Sequence, residues 1–129
     1  MFFHEIVDTS ARVTSVSGRG DKIELLAAIF KRTDSEDIEL AVAYLSGTLP
    51  QGRIGIGYAA LRDSKPEHAA SETTLTIREV DRAFGEIAST IGPGSAGEKI
   101  QRLRELQHRA IDDEQQFLAQ LILGGARAP

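Results

Sequence analysis

Two stretches decide the fold: GDKIELLAAIFKRTDSEDIELAVAYLSG, residues 20–47, and GEKIQRLRELQHRAIDDEQQFLAQLILG, residues 97–124. They align without a gap at a constant offset, 97 − 20 = 77. Gly20 meets Gly97, Lys22 meets Lys99, Ile23 meets Ile100, Leu26 meets Leu103, Arg32 meets Arg109, Leu40 meets Phe117 and Gly47 meets Gly124. Each copy reads as a glycine turn, a basic helix, a capped turn and an apolar helix with an acidic start. Such helix pairs are expected to pack about a pseudo-two-fold axis, with their matching ends on one side.

The periodicity outside the repeats is helical too. Ile23, Leu26, Ala27 and Phe30 recur at helix spacing, as do Ile38, Val42 and Leu45, then Val80, Phe84 and Ile87, and finally Phe117, Leu118, Leu121 and Ile122. Phe3, Ile6, Val7 and Val13 form a looser helical set. Capping boxes are read at Thr33–Glu36, Thr76–Glu79 and Ser95–Glu98, and an acidic cap at Asp112–Gln115. Ser46-Gly47 reads as a helix stop. TLPQGRIGIGYAALRD (48–63) is a glycine-punctuated loop with a short helix at best, and 62–75 is a polar linker inside the domain. No alternating run of strand length appears. The expectation is an all-α single compact domain over 1–129, of five to seven helices without a sheet. Its core is expected to hold Phe30, Leu45, Phe84, Leu103, Phe117 and Leu121.

Composition narrows the function. The chain of 129 residues suits one modest core, and it carries no Cys, which excludes disulfides and thiolate metal sites and fits a reducing cytoplasm. His4, His68 and His108 have no partners at metal-ligand spacing. The start MFFHEIVDTSARV lacks the basic and apolar regions of a signal peptide, and no stretch reads as a membrane span. The formal net charge of −4 argues against a globally basic nucleic-acid binder. The charges are segregated, however. Residues 11–32 carry Arg12, Arg19, Lys22, Lys31 and Arg32 against two acids, and residues 92–111 carry Lys99, Arg102, Arg104 and Arg109 against two.

The junction IGPGSAGEKIQRLR (91–104) concentrates the chemistry. A helix start leaves amides unpaired and carries a partial positive charge, so it suits an anionic oxygen. Two glycine-preceded starts, each with a Lys in its first turn (Lys22 and Lys99), would suit a polyphosphate rod such as DNA. Ser95 is expected to cap its helix, so that Ser95→Ala costs about 1 kcal/mol. Lys99 is expected to face a phosphate, and Lys99→Ala to leave stability within about half a kcal/mol. GPGSAGEK approaches the nucleotide-binding pattern G-x-x-x-x-G-K-[ST]. Glu98 is inserted before the lysine, Ile100 replaces the magnesium-holding hydroxyl, and a helix precedes it, so a nucleotide-hydrolysing site is not expected.

AVAYLSGTLPQGRIGIGYAALRD (41–63), the repeat, and IASTIGPGSAGEKIQRLRELQHRAIDDEQQFLAQLILGG (87–125) together resemble the N-terminal DNA-binding domain of ATP-dependent DNA ligases, most closely the actinobacterial type. The likeness covers nearly the whole chain. It implies a helical domain that grips duplex DNA around a nick, across the minor groove, through phosphates and without base readout. Position by position it implies contacts at Arg19, Gly52, Arg53, Gly94, Ser95 and Lys99, to which the residue reading adds Lys22 and Arg102. The family's phosphate loop L-x-G-E-L-R-Q-G-A is departed from at Leu123-Gly124-Gly125-Ala126-Arg127, where Arg127 keeps the arginine position. That departure is expected of a shortened or naturally short version.

Ligases adenylate the Lys of a K-x-D-G motif. Lys22-Ile-Glu-Leu, Lys31-Arg-Thr-Asp, Lys65-Pro-Glu-His and Lys99-Ile-Gln-Arg do not match it. The chain is therefore expected to be inert alone and to hold no cofactor, ATP and Mg being implied only for a full-length ligase. Its partners are expected to be duplex or nicked DNA and the catalytic domains absent from it. The rival reading is a helical protein–protein interaction module, which the acidic helix starts favour.

Overall fold

A computed structural model describes residues 1–124. Among them are seven α-helices: α1 (Phe3–Ser15), α2 (Arg19–Arg32), α3 (Ile38–Leu45), α4 (Tyr58–Asp63), α5 (Ile77–Ser89), α6 (Ser95–His108) and α7 (Asp112–Ile122). A 3-10 turn, Ser35–Asp37, leads into α3. The described residues hold no strand, only a single antiparallel bridge between Phe2 and Thr76. The all-helical expectation is met.

That bridge sits at the centre. The Phe3 amide donates to the Leu75 carbonyl (2.8 Å), and the Ile77 amide donates to the Met1 carbonyl (3.0 Å). The starts of α1 and α5 are thereby fixed side by side, with Phe3 and Ile77 fully buried. Phe3 meets Tyr44 of α3 edge-on at 5.8 Å and Phe117 of α7 at 5.7 Å. One ring thus joins three helices, and such aromatic pairs contribute about 0.5–1.5 kcal/mol each beyond their buried area.

The sequence reading of α5 is met in full: Val80, Phe84 and Ile87 are buried. Thr76 Oγ1 accepts from the Glu79 amide (3.2 Å), and Glu79 accepts from the Thr76 amide (3.0 Å). Arg109, at the end of α6, reaches the same carboxylate at 2.9 Å. The Arg109 guanidinium and the Thr76 amide hold Glu79 below the usual carboxylate range.

Three local expectations are corrected. Thr33 does not open α3. Its hydroxyl donates to the Ile29 carbonyl (2.7 Å) and closes α2, while the chain turns at Asp34. The inward faces of α2 and α3 are rotated from those expected. Ile29 is the buried residue of α2, and Ala41 and Tyr44 are those of α3, leaving Ile23 56% and Val42 43% exposed. The cause is that IELLAAIF and IELAVAYL are apolar almost all round, so periodicity does not fix the angle and contact with α1 does. The acidic cap of α7 forms one residue early, with Glu114 accepting from the Ile111 amide at 2.9 Å. Of the expected core, Phe84, Leu103, Phe117 and Leu121 are buried, and Phe30 and Leu45 are partly buried against it. The segment after α4 holds no helix, yet Ser64 and Leu75 are buried and the Ala70 amide donates to the Ala110 carbonyl (3.0 Å).

Two acids are buried. Asp37 receives Arg78 Nε at 2.7 Å, an ion pair joining α5 to the turn before α3. Glu114 has one oxygen on the Ile111 amide and the other without a partner. Burial pushes the Glu114 carboxyl above its ordinary range, only partly offset by the Ile111 amide and His4. A carboxyl raised on folding binds protons more tightly in the native state. Its contribution to stability therefore falls as pH rises from the ordinary carboxylate range through the raised value.

Two predictions follow from this core. Phe3→Ala is expected to cost about 3–5 kcal/mol in urea unfolding, whereas Ile23→Ala on the exposed side of α2 costs less than about 1 kcal/mol. Glu114→Gln keeps the acceptor for Ile111 and removes the buried charge. Relative to the parent, its thermal midpoint is expected to be higher at pH 7 than at pH 4, which melts at the two pH values check.

Candidate nucleic-acid interface

The glycine-rich loop before α4 is not slack. Ile54 and Ile56 are buried, while Arg53, Gly55 and Gly57 between and beside them face outward. This short alternation pins the loop by two side chains, and the glycine punctuation hid it from the periodicity reading. Gln51 Nε2 donates to Asp81 Oδ1 (2.8 Å), tying the loop to α5. Lys99 Nζ donates to the Ile54 carbonyl (2.8 Å), tying it to α6. Gly55 adopts φ +75°, and a Cβ there would collide with the Lys99 ammonium. The left-handed backbone requires glycine here, and a side chain would also displace the Lys99 ammonium from its place.

The start of α6 differs from expectation. Ser95 is the first helical residue and not a cap; Gly94, at φ +80°, precedes the helix, and no side chain caps it. The turn is closed by the Ser95 amide donating to the Gly92 carbonyl (3.1 Å). Because the left-handed glycines complete the turn, Ser95 Oγ is left out of it. The Ala96 and Gly97 amides have no acceptor among the described residues. The helix with this open start and spare hydroxyl is thus tied to the Gly52–Arg53 loop through Lys99. An anionic oxygen fits there.

Lys99 is therefore not a free surface lysine. Its ammonium holds a backbone carbonyl, which corrects the expectation that its removal leaves stability untouched. Lys22 is used alike: Nζ donates to the Val13 carbonyl (2.7 Å) near the end of α1, where a cation also complements the helix dipole. The start of α2 is less open than that of α6, because the Asp21 carboxylate lies against Gly18. Arg19 at that start and Arg53 in the loop are exposed and have no ion-pair partner among the described residues. Arg102 is held between Glu98 (3.7 Å) and Glu86 (3.8 Å). Gly52 and Gly94 are exposed. Arg127 lies outside the described residues. The structure thus ties the loop that holds Gly52 and Arg53 to α6 through Lys99, and Gly94 and Ser95 stand at the start of that helix; Arg19 and Lys22 lie on α2, which packs on α1.

No group of His, Asp or Glu among the described residues could hold a metal ion. No described helix is long and apolar enough to cross a membrane. What the fold and this surface define is a small helical domain presenting backbone amides and a tethered glycine loop.

Its kinship is with DNA-joining enzymes. The chain belongs to the family described as DNA ligase N terminus, whose profile matches residues 57–128. It is 40% identical over 127 residues to a probable DNA ligase of Streptomyces griseus, and 43% identical over 127 residues to one of Mycolicibacterium gilvum. It is 36% identical over 129 residues to one of Mycobacterium bovis. Each match covers 98% of this chain. The chain spans about a quarter of those relatives, 24% of the first two and 25% of the third.

The corrected geometry lowers the cost expected of Ser95→Ala and puts the larger cost at Gly55. Ser95→Ala is expected to change stability by less than about half a kcal/mol. Gly55→Ala is expected to cost about 1–3 kcal/mol through backbone strain. Denaturant unfolding of both variants checks the order.

Proposed function

We propose that this chain is the DNA-gripping part of an ATP-dependent DNA ligase active in replication, repair and recombination in the cytoplasm. It holds duplex or nicked DNA by its phosphates and without base readout. The observation that carries the reading is the open start of α6 fastened by Lys99 to the exposed Gly52–Arg53 loop, in a chain of this family. Gly52, Arg53, Gly94 and Ser95 would meet one phosphate, with Lys99 as the brace beneath them. Arg19, Lys22, Arg102 and Arg127 are secondary candidates. No lysine here stands in K-x-D-G, so adenylation, ATP and Mg belong to segments other than this one.

We infer further that residues 1–129 form one domain built on a pseudo-two-fold duplication, with 62–75 as its internal linker. Buried positions recur at the offset of 77: Ile29 with Leu106, Asp37 with Glu114, Ala41 with Leu118, Tyr44 with Leu121. The reciprocal bonds at Phe3 and Ile77 extend the relation to α1 and α5. A Cβ on Gly124 would lie 2.8 Å from the carbonyl oxygen of Gly47, its counterpart.

The second reading, a protein-interaction module, is favoured by one feature. A shallow depression of about 650 Å³ along α2 is lined by Val16, Leu25, Ala27 and Ala28 together with the charged Asp21, Glu24 and Lys31.

Titration of labelled nicked, intact and scrambled duplexes at several salt concentrations decides between them. Binding is expected in the micromolar range, alike for all sequences, with log K falling by about 0.9 per phosphate neutralised for each unit of log[salt]. Arg53→Ala is expected to flatten that slope by roughly one unit. Salt-independent binding, a strong sequence preference, or no binding by the parent would overturn the reading.

A further inference from the structure

Five large apolar side chains among the described residues are exposed, and the two most exposed are Ile91 at 84% and Tyr58 at 72%. Scattered exposed apolar residues are ordinary. Their placement is not. Ile91 directly precedes the Gly92–Gly94 turn, and Tyr58 directly follows the loop that ends at Gly57. The Ser95-to-Gly92 bond (3.1 Å) closes this turn at the start of α6, and Ile91 is the residue that leads into it. Lys99 joins the second loop to the same helix. One apolar group thus adjoins the turn that opens α6, and the other adjoins the loop tied to that helix.

Between consecutive phosphates of a DNA strand lies a deoxyribose, whose ring carbons present an apolar surface. We propose that Ile91 and Tyr58 press against the deoxyriboses on either side of the gripped phosphate, supplying an affinity that does not depend on salt. This rests on the DNA reading above and adds a division of labour to it. Arg53 and the helix start meet charge, and releasing counterions makes their share fall with salt. Ile91 and Tyr58 remove apolar area from water, and their share does not fall.

The test uses the 129-residue chain and one nicked duplex across a range of salt. Ile91→Ala and Tyr58→Ala are each expected to weaken binding about three- to tenfold at every salt concentration, the scale of partly burying such a side chain. The slope of log K against log[salt] should match the parent's. Ile91→Met, which keeps apolar reach, should bind as the parent does, and circular dichroism should show the parent's helicity for all three. Parent-like binding by Ile91→Ala and Tyr58→Ala, beside a weakened Arg53→Ala, would overturn this inference and leave the DNA reading standing. A changed slope in Ile91→Ala would overturn it as well. A parent that binds no duplex would overturn the DNA reading, and this inference with it.

Discussion

The rest of the fold hangs on the crossed pair of hydrogen bonds at Phe2 and Thr76. A helix start in a protein interior is a problem, because its first amides lack partners within the helix. Here each of two buried starts borrows the carbonyl that precedes the other: Phe3 from Leu75, Ile77 from Met1. The two Glu side chains at equivalent places, Glu5 and Glu79, accept from the Phe2 and Thr76 amides. Arg32 and Arg109, ending α2 and α6, then pair with those same carboxylates at 3.5 and 2.9 Å. Backbone need at the centre so dictates where two charged helix ends must come to rest. With α1 and α5 fixed, Phe3 has room for Tyr44 and Phe117, and α3 and α7 are drawn onto it.

The same economy governs the surface proposed to meet DNA. Lys22 and Lys99 each satisfy a carbonyl at the end of a neighbouring segment, Val13 or Ile54. A lysine so used keeps its charge, near the start of its helix. What changes is its role: it fixes geometry and leaves direct contact to groups that have no internal partner. Those are the Ala96 and Gly97 amides, Ser95 Oγ and the Arg53 guanidinium. Acid placement separates the two helix starts. Asp21 folds back on Gly18 in α2, whereas Glu98 leans toward Arg102 in α6 and leaves that start open.

Legibility in the sequence followed a simple physical line. Where apolar residues occupy one stripe among polar ones, as in IREVDRAFGEIAS, the sequence specified both the helix and its buried face, and Thr76–Glu79 closed its box as read. Where apolar residues run round the helix, as in α2 and α3, only the helix was legible. The boxes at Thr33 and Ser95 failed for a shared reason: a neighbouring backbone turn had already taken the position. Thr33 was drawn to the Ile29 carbonyl, and Gly92 with Gly94 made the turn without Ser95. Gly52, Arg53, Gly94, Ser95 and Lys99 were nameable through resemblance, but not their assembly. The Lys99-to-Ile54 bond spans 45 positions and leaves no periodic trace. Nor did GRIGIG announce that Ile54 and Ile56 anchor it, since two buried residues are too few to set a period.

If the proposed grip exists, the acidic balance of charge would make it weak, and the length of the relatives would let weakness suffice. On the DNA reading, a chain with a net charge of −4 would attract a polyanion only locally, through a few oriented amides and the Arg53 guanidinium. Alone, that gives shallow, salt-sensitive binding. Within a chain about four times as long, such as the relatives, the domain would meet the same duplex as its covalent neighbours. Its local concentration there reaches the millimolar range that short tethers supply. At that concentration a micromolar contact, as proposed above, would be closed almost always and yet open quickly. Strong basic charge would tighten the grip on every duplex encountered and slow that release. On the DNA reading, the acidic balance is thus compatible with function, and the rigid placement of Arg53 and the α6 amides matters more than the sum of charges.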